Sequence, residues 1–482
     1  MPRRLALWML LAAPILAALY VFVLGTTFFD IRPQPCPDLE LVPPTGASIS
    51  LRAALEACPE YEEWIRVEKA RSRDLDPPVW DAKRKEWRKP ASAPSDWDKE
   101  WAAQALRAFA IVKAVAVRPE RLGLPEDPSF RFELFSPRYG VGSVGLYRRM
   151  MYQIEVLAWY DGPFEGPRPD PLEVWEAITA GLGKIDEQAT TVMDRRGHLK
   201  QANRAGKLGL ELVRRRGNSS RPRTLEAMQQ AWSRLRSQGR QPLLNAMRGS
   251  ARFLAEDARE LRNYVWCPTD LYGPGLPSSF WSETTLYDWW MILRIQPNRT
   301  ARDLDARTRD SLPLIDLLPQ QRPPMPPEPR YAWECWLPSP NCVGKSFALG
   351  AANTNRGAIE SEDLAEARHS LVAVVVALAR FRLDHGNTLP STLADLVPGY
   401  LPAVPRDPFD GKPVRYDTPK GHLWSIGLDL ADHGGKPYRN REDEEPPVPG
   451  TDALWPDDRY TECDDEPTVD LKAFFGDRAT EP

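Results

Sequence analysis

Residues 5–24, LALWMLLAAPILAALYVFVL, contain no charged side chain. Twenty helical residues at about 1.5 Å rise reach roughly 30 Å, the thickness of a bilayer's hydrocarbon core. Arg3 and Arg4 stand directly before the run. The positive-inside rule then makes 1–4 a cytoplasmic stub and 5–24 a transmembrane anchor, with everything after it exported. A cleaved signal peptide is the competing reading. Against it, the run is long and Leu24-Gly25-Thr26-Thr27 is not an A-x-A-like cleavage site. Pro14 is tolerable in a membrane helix, where neighbours re-satisfy the freed backbone groups.

Export sets the expectation for the six cysteines, Cys36, Cys58, Cys267, Cys335, Cys342 and Cys463. No pair has C-x-x-C spacing and the chain has five histidines, so zinc is not expected. Disulfides suit an oxidising compartment, and local spacing favours Cys335–Cys342 and Cys36–Cys58. The alternative is a set of unpaired small core residues.

Residues 25–95 read as a stalk, extended from Pro33 to Pro44, with short helices near Ser50–Ala57 and Tyr61–Ser72. From Asp96 the apolar period becomes helical: Trp97, Trp101, Ala105, Phe109, Val112 and Ala116 recur three or four apart. A short strand is expected at Phe130–Phe135 and a helix at Leu146–Tyr160. Asp170-Pro171-Leu172-Glu173 is a helix start, with an acid at the N-cap and proline at the first position. Further helices are expected from Thr224, with Leu225, Met228, Trp232 and Leu235 on one face, and from Pro242, Thr284 and Thr300. Short connections between them indicate an all-α extracytoplasmic domain over 96–318. Residues 319–345, including QQRPPMPPEPR, read as an extended proline-rich linker. A long helix is then expected from about Ile359 to His385, its stripe formed by Leu364, Ala367, Leu371, Val374, Leu378 and Phe381. Its continuous apolar stretch, Leu371 to Ala379, is too short to cross a membrane.

Catalytic signatures do not survive inspection. Gly140-Val141-Gly142-Ser143-Val144-Gly145 has G-x-G-x-x-G spacing, but no buried strand runs into it and DGPFEGPRPDP follows the helix. A dinucleotide site needs both flanking strands. Val343-Gly344-Lys345-Ser346 resembles the end of a P-loop, yet the opening glycine falls at Ser339. Neither G-x-S-x-G nor H-E-x-x-H occurs, and the histidines are scattered singly. The chemistry left open is a pair of carboxylates converging within the helical domain.

Charge is distributed unevenly. Arg195 to Arg259 carries sixteen Lys or Arg against four acids, whereas residues 439–482, an acidic tail, carry fourteen acids against five bases. An exported domain meets little nucleic acid, so none is expected as a partner. An anionic surface or the acidic tail is the expected partner of 195–259. Two unrelated solvated faces are the alternative.

The stretch ALARFRLDHGNTLPSTLADLVPGYLPAVPRDPFDGKPVRY, continuing into LWSIGLDLADHGGKP, is the most specific in the chain. It reads as a helix end, a loop folding back through Leu389, Leu393, Leu396, Val397 and Tyr400, then a hairpin. The hairpin strands are expected at Pro413–Tyr416 and His422–Ile426, around Pro419–Gly421. In order and motif this segment, about 359–438, resembles the C-terminal part of bacterial type II secretion major pseudopilins. The large helical region before it resembles that of uncharacterised bacterial envelope proteins. The resemblance departs at the N-terminus. Met1–Phe29 lacks a short leader, a peptidase site and a glutamate-bearing helix, and the internal helix starts polar at Glu360, Glu362, Asp363 and Glu366. The chain is therefore not expected to polymerise as those subunits do.

The resemblance also implies calcium on the loop after the last strand, with Asp429, Asp432, Ser425 and the Leu423 carbonyl as ligands. Calcium wants six to eight oxygen ligands. Only two carboxylates are offered and Lys436 opposes a cation, so a metal-free capped turn is the competing reading. The fold expected is α+β and mostly α: an N-terminal transmembrane helix, an all-α extracytoplasmic domain, then a pseudopilin-like module over 346–438. The expected location is the bacterial inner membrane, single-pass, with the bulk of the chain in the periplasm. The expected role is structural or interactive, accessory to a secretion-like or filament system with envelope partners. A membrane-tethered enzyme using converging carboxylates is the rival.

Overall fold

The structure, a computed structural model, describes residues 12–16, 48–70, 79–81, 86–88, 97–122, 143–159, 168–186, 191–216, 222–235, 239–260, 296–324, 341–435 and 467–476. Of the expected anchor only 12–16 lies among them; it is helical, with Ile15 and Leu16 exposed. Among the described residues no helix is long and apolar enough to cross a membrane. The rest of 5–24, the strand at Phe130–Phe135 and the helix at Thr284–Ile295 lie outside the described residues.

The chain is mostly helical. Strand β1 (Ser48–Ile49) leads into α1 (Leu51–Glu56) and α2 (Tyr61–Ala70). A small hairpin, β2 (Val79–Asp81) and β3 (Glu86–Arg88), precedes α3 (Trp97–Ala116), and β4 (Arg121–Leu122) pairs parallel with β1. Helices α4 (Ser143–Trp159), α5 (Pro171–Ile185), α6 (Val192–Arg216), α7 (Pro222–Arg234), α8 (Gln241–Glu260) and α9 (Pro297–Ser311) follow. Local chemistry sets several starts. Asp170 accepts the Leu172 N–H with Pro171 in the first turn, and Ser50 accepts the Ala53 N–H at α1. Leu225, Met228, Trp232 and Leu235 are all buried, as their spacing requires. Helix α6 does not announce itself by apolar period, because Asp194, Arg195 and His198 occupy its buried side. Its Gly209 admits the Trp175 indole, which donates to the Ala205 carbonyl at 2.9 Å; a Cβ there would lie 2.7 Å from the indole nitrogen.

Helix α10 runs from Cys342 to Asp384, 43 residues, and so starts well before Ile359. Its first turns carry small residues with little apolar period, and packing decides instead. Ala348 and Ala351 meet Ala301 and Leu304 of α9. Asn341 precedes the helix with φ 60° and accepts from the Gln296 N–H and the Thr300 hydroxyl, both at 2.9 Å. Gly344 makes this approach possible: a Cβ would fall 1.9 Å from Thr300 Oγ1 and 2.2 Å from Asn341 Oδ1. The P-loop-like Val343-Gly344-Lys345-Ser346 is thus the first turn of a buried helix. Farther along, Leu371, Val372 and 374–379 are buried on nearly every side, which suits a central helix that is apolar all round.

The proline-rich segment is not a free linker over the whole of 319–345. Residues 342–345 are helical, and Arg322 is buried, donating to the Leu314 and Leu317 carbonyls and to Asp363. An ion pair and two carbonyl bonds dock its first turn. Helix α10 packs on α6, α7, α8 and α9, and one apolar core runs from Leu51 through the helices to Leu393, Leu423 and Phe474.

The C-terminal sheet has three antiparallel strands. β5 (Arg415–Asp417) pairs with β6 (His422–Trp424) in the register Tyr416↔Leu423, and β6 pairs with β7 (Thr468–Asp470) in the register Leu423↔Val469. The expected hairpin is therefore two of three strands, each shorter than expected. The third comes from the stretch expected as an acidic tail: Val469 and Leu471 are fully buried, and α11 (Leu471–Phe475) closes the sheet. The expected Cys36–Cys58 disulfide is not formed: Cys58 is a free buried thiol donating to the Ala54 carbonyl, behaving as a small core residue. Cys36, Cys267, Cys335 and Cys463 lie outside the described residues.

Candidate functional site

The four residues expected to hold calcium do not converge. Leu423 lies in the central strand with its side chain in the core. Ser425 is fully buried; its hydroxyl donates to Asp407 Oδ1 at 3.0 Å. Asp429 Oδ1 accepts the Ala431 N–H at 3.1 Å, and Oδ2 faces His433 Nδ1 at 3.5 Å. Asp432 Oδ1 accepts from Trp424 Nε1 and the Gly434 N–H, both at 3.0 Å. The side-chain oxygens of Ser425, Asp429 and Asp432 are each engaged locally, and among the described residues no group of three or more His, Cys, Asp or Glu is placed to hold a metal ion. These residues do not fit a bound calcium ion, which needs several free oxygens aimed at one point.

The loop is instead gathered by Arg415. Its Nη1 donates to Asp407 Oδ2 at 2.5 Å, its Nη2 to Asp410 Oδ2 at 2.5 Å, and its Nε faces Asp432 Oδ2 at 3.6 Å. Asp407, with no exposed surface, also accepts from the Phe409 N–H, the Ile426 N–H and Ser425. Burial pushes its carboxyl up, against those bonds and the Arg415 charge. At Asp410 and Asp432 burial also pushes upward. There it is outweighed, by Arg415 and the Lys412 N–H at Asp410, and by Trp424, the Gly434 N–H and Arg415 at Asp432. Both carboxyls therefore sit below the usual range.

Carboxylates do converge within the helical region. Arg195 of α6 grips Glu362 of α10 with two bonds, Nε to Oε2 at 2.8 Å and Nη2 to Oε1 at 2.7 Å, and its Nη1 donates to Asp186. His198, one turn on, places Nε2 2.9 Å from the same Asp186 oxygen, while its Nδ1 has no hydrogen-bond partner among the described residues. Arg148 of α4 reaches Asp194, which the Thr191 hydroxyl also contacts at 2.9 Å. Asp186, Asp194, Arg195, His198 and Glu362 are at most 4% exposed. Burial raises the Asp186 carboxyl, but the Arg195 charge and the His198 bond overcome it and hold the group far below the usual range. Burial lowers His198, and the Arg195 and Arg148 charges add to that against the pull of Asp186. A second pin joins Asp363 of α10 to Arg322 and, at 3.0 Å, to Arg240. Asp186, Asp194, Arg195, His198, Glu362, Arg322 and Asp363 are buried, whereas Arg148 and Arg240 keep part of their surface in solvent. The pairs hold helices together. Arg195 and His198, three apart on one helix face, were a local signal for the cluster; Glu362, 167 residues away, had none.

Part of the basic run is answered from within. Arg195 and Arg240 are in these pins, Arg214 and Arg215 hold Glu211, and Arg204 stacks over Tyr152 near Glu155. An open cleft of about 380 Å³ lies between α5, α7 and β4, lined by Leu122, Leu235 and Ala231 and by the cations Arg121, Lys184 and Arg234. Lys184 is tied to the Arg118 and Glu120 carbonyls.

Comparison with known proteins returns no match among family models, curated proteins or solved structures.

Proposed function

We propose that this is a membrane-anchored bacterial envelope protein with a structural or protein-interaction role, accessory to a type II secretion-like or filament system. Arg3, Arg4 and the uncharged run 5–24 support the anchor and, with it, a location of the bulk of the chain outside the cytoplasm. The observation that carries the role is the fate of the ionisable groups. The carboxylates that converge, Asp186, Asp194 and Glu362, are buried against arginines and bind helices to one another. This speaks for a scaffold over an enzyme, whose acids must reach a substrate. The pseudopilin-like module is a rigid end piece of that scaffold, sharing the core of the helical region. Fold-level resemblance alone does not fix a function, so partners must be read directly.

A phosphatase fused to the C-terminus should be active, and the intact chain should stay in the membrane through a salt wash. A photocrosslinker at exposed Val397, on the module surface, should give discrete adducts with envelope or secretion proteins in native membranes. Release of the intact chain by salt would end the anchor, and an absence of discrete adducts would end the interaction role.

A further inference from the structure

The three carboxylates of the C-terminal module point to a second conclusion. Asp407, Asp410 and Asp432 come from two loops that no regular hydrogen-bond ladder joins. Between them lies one guanidinium, that of Arg415 at the start of β5. A guanidinium presents five N–H donors in a fixed planar fork and stays charged at any relevant pH. That fork is filled here in two directions, towards Asp407 and Asp410, with its Nε side facing Asp432. Lys412 stands 3.8 Å from Asp410, and Arg406 donates to the Gly411 carbonyl in the same turn. All three acids thus face Arg415, and Asp410 also faces Lys412.

We infer that Arg415 is the resident cation of this module, ordering its loops by an internal charge so that they need no divalent metal. The placement explains why Asp429 and Asp432 cap turns rather than meet. The residue that gathers the loop arrives on a strand, and its position is fixed by backbone pairing to Trp424. Asp407 relays the order inward: its oxygens accept the amides of Phe409 and Ile426, so the DPFD turn and the segment after β6 are held by one side chain. A metal would be redundant there, since its ligands would have to leave amides, an indole and a guanidinium already bonded to them. This conclusion concerns the module alone and does not depend on the proposed role of the protein.

The test uses the full chain purified in detergent, with calcium chloride or a chelator as the only variable. The wild type should melt at the same temperature in millimolar calcium and in chelator. A calcium site filled to a hundred times its dissociation constant would raise the midpoint by roughly 5 °C. Hydrogen exchange across 407–426 should likewise be identical in the two conditions. R415M should expose the Phe409 and Ile426 amides, speeding their exchange at least about tenfold, one decade per 1.4 kcal/mol of lost protection. If R415M does not fold, R415K decides: it keeps the charge but not the fork, and should give partial loss of protection. A calcium-dependent midpoint in the wild type, or wild-type protection in R415M or R415K, would overturn the inference.

Discussion

Replacing Arg195 by methionine removes a cation that pairs with both Glu362 and Asp186. Methionine keeps much of the stem's volume, so the effect isolates the charge. Both carboxylates are left sealed, with Glu362 showing no exposed surface and Asp186 only 3%. Removing one partner of a buried ion pair costs about 3–5 kcal/mol, because the surviving charge is left without compensation. Urea unfolding followed by tryptophan fluorescence should report that loss at pH 7.5. The pH dependence follows from the sign of the shift. In the wild type the depressed Asp186 carboxyl contributes stability that is present above its unfolded pKa and lost as pH falls through its folded one. In R195M the Asp186 carboxyl loses the charge that outweighs its burial, so burial pushes it up and its burden is relieved as it takes up a proton. The gap between the two proteins should be widest near neutrality and should narrow below about pH 5. A variant within about 0.5 kcal/mol of wild type at pH 7.5, or a gap that does not narrow in acid, would refute the buried pin.

Two further outcomes are expected. Burial and the neighbouring Arg195 and Arg148 keep His198 neutral, against the pull of Asp186, so its folded pKa lies below the unfolded one. Stability is then lost as pH drops below about 6.5, where the unfolded imidazole takes a proton. H198Q should flatten the stability profile between pH 7 and 5, and an unchanged slope would exclude His198 as its source. Gly344→Ala should cost about 1–3 kcal/mol, because the new methyl overlaps Thr300 and Asn341 and must push α9 and α10 apart. Equal thermal midpoints for G344A and wild type would contradict that contact.

Periodic helices were legible in the sequence because their information is local. The faces of α3 and α7, the Asp170 start of α5 and the 419–421 turn all follow from neighbours within a few residues. What escaped depends on distant partners. Helix α6 hides its buried side behind Asp194, Arg195 and His198, whose burial makes sense only once Glu362, Asp186 and Arg148 are in place. The first turns of α10 have small residues that α9, not local propensity, holds in a helix. Strand β7 is three residues inside an acidic stretch, so average charge concealed Val469 and Leu471. Asp429 and Asp432 were legible as two carboxylates of one loop. That Arg415 meets Asp432 together with Asp407 and Asp410 was not, since backbone pairing of β5 with β6 is what delivers it.

Helix α10 has one more consequence. Its 43 residues span about 64 Å without an interruption, and it is gripped along that length: by α9 near its start, by the central core at Leu371–Ala379, and by Tyr400 against Phe381 near its end. A rod clamped at three stations has no joint between them. A displacement at the C-terminal end of the helix is carried along it to α9, and the reverse holds equally. The helix fixes the distance between the α9 contact at its start and the Tyr400 contact near its end.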